Sequence, residues 1–261
     1  ILLLIGVELK HTSGNYRHLA LDEVHSTNDT CMEYGRNGDA GNLWVTAQRQ
    51  IAGKGSRSRS WTSMPGNLFA SLLLRSPCEA EHLAELTFVA AVAAKQAVEG
   101  CVGQTAKCEL KWPNDLMVNG LKCGGILLES QMIKSEVLVV IGIGINCEHF
   151  PEETLHPSTS LKAAGCEVKA DDLFQKMAET TANCLEIWNR GAGFNIIRKT
   201  WLESAFGMGQ NATVNIPGRN PVTGIFTAVD EAGYMLLKTK DGIERVSTAD
   251  IFFNDTANND H

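Results

Sequence analysis

CELKWPNDLMVNGLKCGGILLES, residues 108–130, sets two apolar runs on either side of Asn119–Gly120. A type I′ turn needs positive φ at both central positions, which Asn and Gly tolerate best, so the stretch predicts a β-hairpin. Lys111 ends the strand before it, next to Trp112–Pro113, and Gly124–Gly125 sit early in the second arm. A residue without a Cβ at a strand end lets another group approach the backbone closely. The same device recurs at Gly53 and Gly55, and at Gly142 and Gly144 in SEVLVVIGIGINC (135–147), a nearly continuous apolar strand. Each site taken singly reads as a bulge or tight turn; three of them beside a group of cations predict a ligand pocket.

Working outward, Tyr16–Val24 and LWVTAQ (43–48) read as strands, with a helix between them opening at HSTND (25–29), where Ser26 or Thr27 serves as cap. GNLFASLLLR (66–75) is a further strand, and EHLAELTFVAAVAAKQAVEG (81–100) repeats apolar residues at helical spacing up to Gly100. DDLFQKMAETTANCLEIWNRG (171–191) places Leu173, Met177, Cys184, Leu185 and Trp188 on one helical face, with Asp171 as cap, and IIRKTWLESAF (196–206) adds a short helix. After Gly207–Gly209 the pattern changes to ATVNI, TGIFTAV, YMLLKT, IERVS and DIFF, separated by turns at Pro217–Gly218, Glu231–Gly233 and Asp241–Gly242. Short strands at this spacing predict a small β-barrel appended to an α+β domain.

With 261 residues, 44% hydrophobic and 20% charged, the chain is long enough for a sizeable core and ordinary for a globular protein. A net charge of −7 argues against a nucleic-acid-binding or membrane-hugging surface. Against that background, residues 40–78 carry no Asp or Glu but do carry Arg49, Lys54, Arg57, Arg59 and Arg75, which points to a small anionic ligand. The eight cysteines form no C-x-x-C pair, so reduced thiols in a cytosol-like compartment are expected rather than a disulfide or zinc framework. ILLLIGV at the start is too short for a membrane span. The sequence opens without Met, so a mitochondrial targeting segment upstream stays open beside the cytoplasmic reading.

The phosphate-binding motifs fail. A Walker A loop needs Gly-Lys-Ser/Thr, whereas Lys54 is followed by Gly55; GIGINC (142–147) has two of three dinucleotide-fingerprint glycines and opens no helix. What remains is a longer pattern: STN at 26–28, Q-x-A-G-K-G at 50–55, W-x-S at 61–63, GNL at 66–68, KWPND at 111–115, K-x-x-G-I-L at 122–127 and G-x-G-I-N at 142–146. In these residues, over about 240 positions, the chain resembles the biotin–protein ligases, in the form without an N-terminal DNA-binding domain.

The resemblance implies a mixed β-sheet catalytic domain of the class II synthetase type, packed with helices, over residues 1–207, and an SH3-like barrel over 208–261. It implies ATP and biotin as substrates, with Mg2+, and a biotin carboxyl carrier domain, such as that of acetyl-CoA carboxylase, as acceptor. Biotin would be activated as biotinyl-5′-AMP and passed to a carrier lysine. Oligomeric state is either monomer or homodimer, the latter through strand 136–145 or an exposed sheet. Alternatives of the same shape are a lipoate–protein ligase and a non-catalytic biotin or adenylate sensor.

By the same resemblance Lys111 is the catalytic cation. Biotin falls to Ser26, Thr27, Asn28, Gln50, Gly53, Lys54, Gly55, Ser56, Gly125, Gly142 and Gly144. The nucleotide falls to Arg57, Arg59, Trp61 and Asn146, with Trp61 either packing on adenine or simply half-buried, and Asp115 either meeting magnesium or fixing its turn. Ser56 departs from the family, which usually has Arg there, so Arg57 or Arg59 is expected to substitute. GKGSRSRSW (53–61) reads as a lid. Ordering about eight loop residues costs on the order of 10 kcal/mol, while charge-assisted hydrogen bonds return about 1.5–3 kcal/mol each. A bound ligand is therefore expected to balance the cost of closure.

Overall fold

A computed structural model of the protein describes residues 10–11, 15–152 and 156–253. The first sheet has eight strands: β1 (Lys10–His11), β2 (Arg17–Val24), β3 (Leu43–Gln50), β4 (Leu68–Arg75), β5 (Cys108–Lys111), β6 (Asp115–Val118), β7 (Leu121–Ile133) and β8 (Glu136–Ile145). Their spatial order is β1-β2-β3-β4-β8-β7-β6-β5, with β2 and β3 parallel and every other pair antiparallel. The β6–β7 hairpin turns on Asn119 (φ 50°) and Gly120 (φ 79°), the positive pair that the sequence requires. Strand β8 is paired on both sides, so it offers no edge to a second copy, contrary to the dimer route through residues 136–145.

Helices cover both faces. On one lies α1 (Thr27–Arg36), over Leu19, Leu43, Val45, Leu73, Leu138 and Val140. On the other lie α2 (Leu86–Val102), α3 (Ala170–Trp188) and α4 (Phe194–Leu202). Helix α2 buries Ala90, Ala91, Ala93, Ala94 and Ala97, small residues that let sheet and helices approach it from several sides. It passes Gly100, where a Cβ would meet nothing, and runs to Val102, two residues beyond the expected stop, with Gly103 at φ 59° as its C-cap. The caps also differ from expectation. Ser26 and Lys169 hold the N-cap positions of α1 and α3 with no side-chain cap bond, and Asp171 lies inside the first turn of α3. There its charge favours the helix dipole without capping it.

The C-terminal sheet is antiparallel, built of β9 (Asn211–Asn215), β10 (Val222–Val229), β11 (Met235–Thr239), β12 (Gly242–Val246) and β13 (Asp250–Phe253), in the order β12-β11-β10-β9-β13. Its ladder is not closed between β12 and β13, so the expected barrel takes the form of a five-stranded sheet. One hydrophobic cluster runs through both sheets, from Trp44 and Phe174 to Phe226 and Leu237. The seam is specific: Trp112 Nε1 donates to the Gly233 carbonyl at 3.0 Å, and Arg198 Nη1 to the Val229 carbonyl at 2.7 Å. A Cβ on Gly233 would come within 2.8 Å of Phe88. All eight cysteines are free, and burial pushes Cys108 and Cys184 up to about 11, which marks them as packing groups.

Candidate active site

Side chains along a strand alternate between faces, and β8 turns that period into a pocket floor. Leu138 and Val140 pack under α1, while Val139, Ile141, Ile143 and Ile145 face the α2–α3 core. Continuing the first set gives Gly142 and Gly144, just where α1 begins and no longer covers the sheet. Gly125 of β7 lies beside Gly144 in the ladder. The result is a cavity of about 260 Å³ whose walls include Thr27, Gln50, Trp61, Lys122, Asn146 and His156.

The room left by these glycines is taken by the protein's own side chains. A Cβ on Gly142 would collide with Asn28 Oδ1, and one on Gly144 would lie 2.7 Å from the Trp61 ring. Trp61 also reaches within 3.2 Å of the Cβ position of Gly125, and its indole N–H is buried with no acceptor among the described residues. Lys122 Nζ stands 5.8 Å from the Trp61 ring centroid. Trp61 is therefore a half-buried loop residue whose ring lies across the floor.

A polar corner holds the N-terminus of α1. Gln50 Oε1 accepts from the Thr27 backbone N–H at 2.8 Å and from its hydroxyl at 3.0 Å, so the first turn is capped from β3 rather than from Ser26. Ser71 Oγ lies 2.7 Å from Thr27 Oγ1 and 2.6 Å from Asn28 Oδ1, and Asn28 Nδ2 donates to Glu129 at 2.7 Å. Gln50 Nε2 reaches Ser63 at 3.1 Å. Thr27, Gln50, Ser71 and Asn28 are each held by two others, which is how buried polar groups avoid an unsatisfied cost of about 1–3 kcal/mol. Asn146 Nδ2 is likewise engaged by the Thr159 carbonyl at 3.0 Å. Ser26, Thr27, Asn28, Gln50, Lys54, Gly55, Ser56, Arg59, Trp61, Gly125, Gly142, Gly144 and Asn146 all line this cavity. Gly53 lies just outside its wall, its Cβ position 2.5 Å from the Trp61 carbonyl.

Lys111 and Arg57 belong to a second cavity of about 260 Å³, which shares Ser56, Arg59, Asn114, Lys122, Ile126 and His156 with the first. Lys111 is only 6% exposed; its Nζ is 3.5 Å from His156 Nδ1 and 5.9 Å from the Phe253 ring centroid. Desolvation lowers its basicity, and Lys122 adds to the effect, against the pull of Asp115 and Asp250. Burial and the neighbouring lysines take His156 down to about 4, so its ring is neutral at pH 7 and can accept a hydrogen bond from the Lys111 ammonium. Of Lys111 and Lys122, it is Lys122 that lines the glycine-floored cavity. The sequence contains it within K-x-x-G-I-L but gives no sign that it, rather than the lysine of KWPND, reaches the floor.

Asp115 Oδ1 pairs with Lys122 Nζ at 2.6 Å. That pairing orients Lys122; among the described residues no group of three or more His, Cys, Asp or Glu side chains converges to hold a metal. The basic stretch is also not free. Arg49 pairs with Glu23, Lys54 with Asp29, Arg57 and Arg59 with Asp250, and Arg75 with Glu136. Arg75 also donates to the carbonyl of Gly35 near the end of α1, a structural role. Sequence reasoning passed over Ser71, Glu129, His156 and Asp250. Ser71 had a signal, a hydroxyl inside the apolar run LFASLLLR; the others had none. Among the described residues no helix is long and apolar enough to cross a membrane.

Comparison with known proteins bears on this geometry. Residues 22–146 match the biotin/lipoate A/B protein ligase family, and residues 208–254 match the biotin protein ligase C terminal domain. The chain is 35% identical over 240 residues to the bifunctional ligase/repressor BirA of Bacillus subtilis, covering 88% of this chain and 72% of that protein. It is 33% identical over 243 residues to the biotin–[acetyl-CoA-carboxylase] ligase of Paracoccus denitrificans, covering 89% and 99%. Among solved structures, the biotin protein ligase from Aquifex aeolicus in complex with biotin and ATP superposes with a TM-score of 0.78 at 25% identity, covering 92% of this chain and 99% of that one.

Proposed function

The chain belongs to the biotin–protein ligase family, and from that premise we propose how its side chains divide the reaction. It is an ATP-dependent ligase that activates biotin and transfers it to a protein lysine. In the first half a biotin carboxylate oxygen attacks the α-phosphorus of ATP, the bond to the β-phosphate oxygen breaks, and pyrophosphate leaves behind biotinyl-5′-adenylate. In the second half a carrier lysine amine attacks the acyl carbon, the anhydride C–O bond breaks, AMP departs, and loss of a proton leaves an amide. The acceptor is the carrier domain of a biotin-dependent carboxylase. Residues 1–207 act as the catalytic unit and 208–261 as the C-terminal, SH3-like unit. A thiol-reducing compartment such as the cytoplasm suits the free cysteines.

The observation that carries this reading is that one glycine-floored cavity is lined both by the Thr27–Gln50 corner and by the Lys122 ammonium. The corner, with Ser26, suits the polar ureido ring of biotin, which needs a hydrogen-bond partner once buried. Phe69, Leu127 and the Trp61 ring that lies over Gly125 and Gly144 form an apolar bed for the rest of the molecule. Lys122 lies nearest the bond-making step, where a fixed cation stabilises charge that grows on the carboxylate and α-phosphate oxygens. Lys111 and Arg57 stand in the adjoining cavity, which suits the phosphates. Asn146 serves the adenine side. Magnesium enters with those phosphates, since Asp115 is already engaged by Lys122. The loop from Gly53 to Ser60 closes the site and keeps water from the mixed anhydride.

Incubation with radiolabelled biotin, ATP and an apo carrier domain tests this directly. Labelled carrier together with equimolar AMP and pyrophosphate is expected; transfer of lipoate in preference to biotin, or adenylate bound without any transfer, would overturn it.

A further inference from the structure

Arg59 borders both cavities, and its guanidinium is held on three sides. Nε donates to the Ser56 carbonyl at 3.2 Å, Nη2 to Ser56 Oγ at 2.9 Å, and Nη1 to Asp250 Oδ1 at 3.1 Å. The other oxygen of Asp250 accepts from Arg57 Nη1, and Arg57 Nη2 reaches Thr248 Oγ1 at 3.3 Å. Asp250 lies on β13, paired with Asn215, so the carboxylate that bridges two loop arginines comes from the C-terminal sheet. The loop backbone fits the same arrangement. Gly55 N–H donates to the Arg59 carbonyl at 2.7 Å, and Trp61 N–H to the Gly53 carbonyl at 2.8 Å.

Such a bridge is a weak device for stability. The Arg59 and Asp250 side chains are 43% and 23% exposed, and pairs of that exposure contribute little to folding. They are better suited to orientation, because a guanidinium with Nε and both Nη atoms engaged has few poses left. We infer that Ser56 and Asp250 are positioning residues, which set the Arg59 guanidinium at the shared mouth of the two cavities and make the lid's hold on the acyl-adenylate depend on the C-terminal sheet. This rests on the biotin-activating function proposed above. It also gives Ser56 a purpose of its own: its oxygens steer a cation placed three residues later.

The test uses the full chain in a single turnover with labelled biotin and ATP, without carrier, followed by dilution to read adenylate release. Release from Arg59→Ala is expected to be about tenfold faster than from the parent, and from Asp250→Asn and Ser56→Ala about three- to fivefold faster, as suits partly exposed charge-assisted bonds. Adding Ser56→Ala to Arg59→Ala is expected to change nothing further, since the Ser56 hydroxyl acts through the Arg59 guanidinium alone. Affinity for biotin alone stays at the parent value in Asp250→Asn, a readout that general damage to the fold would move. Asp250→Glu restores part of the retention. Parent-like release from both Asp250→Asn and Ser56→Ala, or a double variant whose effects multiply, overturns the inference. A parent chain that makes no adenylate at all refutes the proposed function instead, and the inference falls with it.

Discussion

Gly142 and Gly144 stand on the pocket face because they continue the alternation begun by Leu138 and Val140, four residues of one strand with the helix above ending between the pairs. Arg57 and Arg59, across the same pocket, owe their placement to a carboxylate about 190 residues further along the chain. The floor is an outcome of strand geometry; the lid's charges are an outcome of docking. A floor of this kind tolerates almost no added volume, whereas the lid tolerates substitution but loses direction.

Lys122 offers the largest test of that contrast, because it rises from the hairpin yet serves the chemistry. Lys122→Ala is expected to slow adenylate formation by about 10²–10³-fold, the usual cost of removing one preorganised charge donor. Lys111→Ala is expected to cost only about tenfold, as befits a cation in the neighbouring cavity. Pyrophosphate release in single turnover measures both, and the reverse ranking would return the central role to the lysine of KWPND.

Next in size is Gly142→Val. Its added carbons meet Asn28, whose amide is fixed by Ser71 and Glu129, so relief by rotation is closed off. Biotin kcat/KM is expected to fall about a hundredfold, as for misplacement of a site by roughly 1 Å. The melting temperature falls too, since overpacking costs about 1–3 kcal/mol. Kinetics equal to the parent's would mean that the glycine is there for the strand alone.

The smallest effect concerns pH. The His156 ring titrates near 4 in the folded chain, below its ordinary value of 6.5, so the unfolded chain takes up the proton first. Folded stability therefore declines as pH falls from about 6.5 to about 4, where both states are protonated. His156→Gln is expected to remove part of that decline in thermal melts taken across the window. Identical slopes for parent and variant would show that His156 is not desolvated beside Lys111 as described.

Much of this site was legible before folding. The Asn119–Gly120 turn, the five C-terminal strands and the three glycine positions follow from φ preferences and from two-residue alternation. Both are properties of a few adjacent residues. Trp61 and Gln50 were legible as site residues but not in their geometry. The indole lies on the floor that was expected to be open, and the amide caps a helix that Ser26 or Thr27 was expected to cap. The basic stretch was legible as charge but not as geometry, because each of its five cations finds an acid that lies outside the stretch.

What the sequence by itself determined, then, is the hairpin, the alternating strand that ends in glycines, and the family to which the motifs point. Only the tertiary structure decided that Lys122 rather than Lys111 reaches the floor, that Asn28 and Trp61 occupy the glycine gaps, and that Asp250 pairs with Arg57 and Arg59. The physical reason is range. Backbone dihedral preference acts over two to four residues, whereas an ion pair or a packed ring needs partners that only the completed fold brings within a few ångströms.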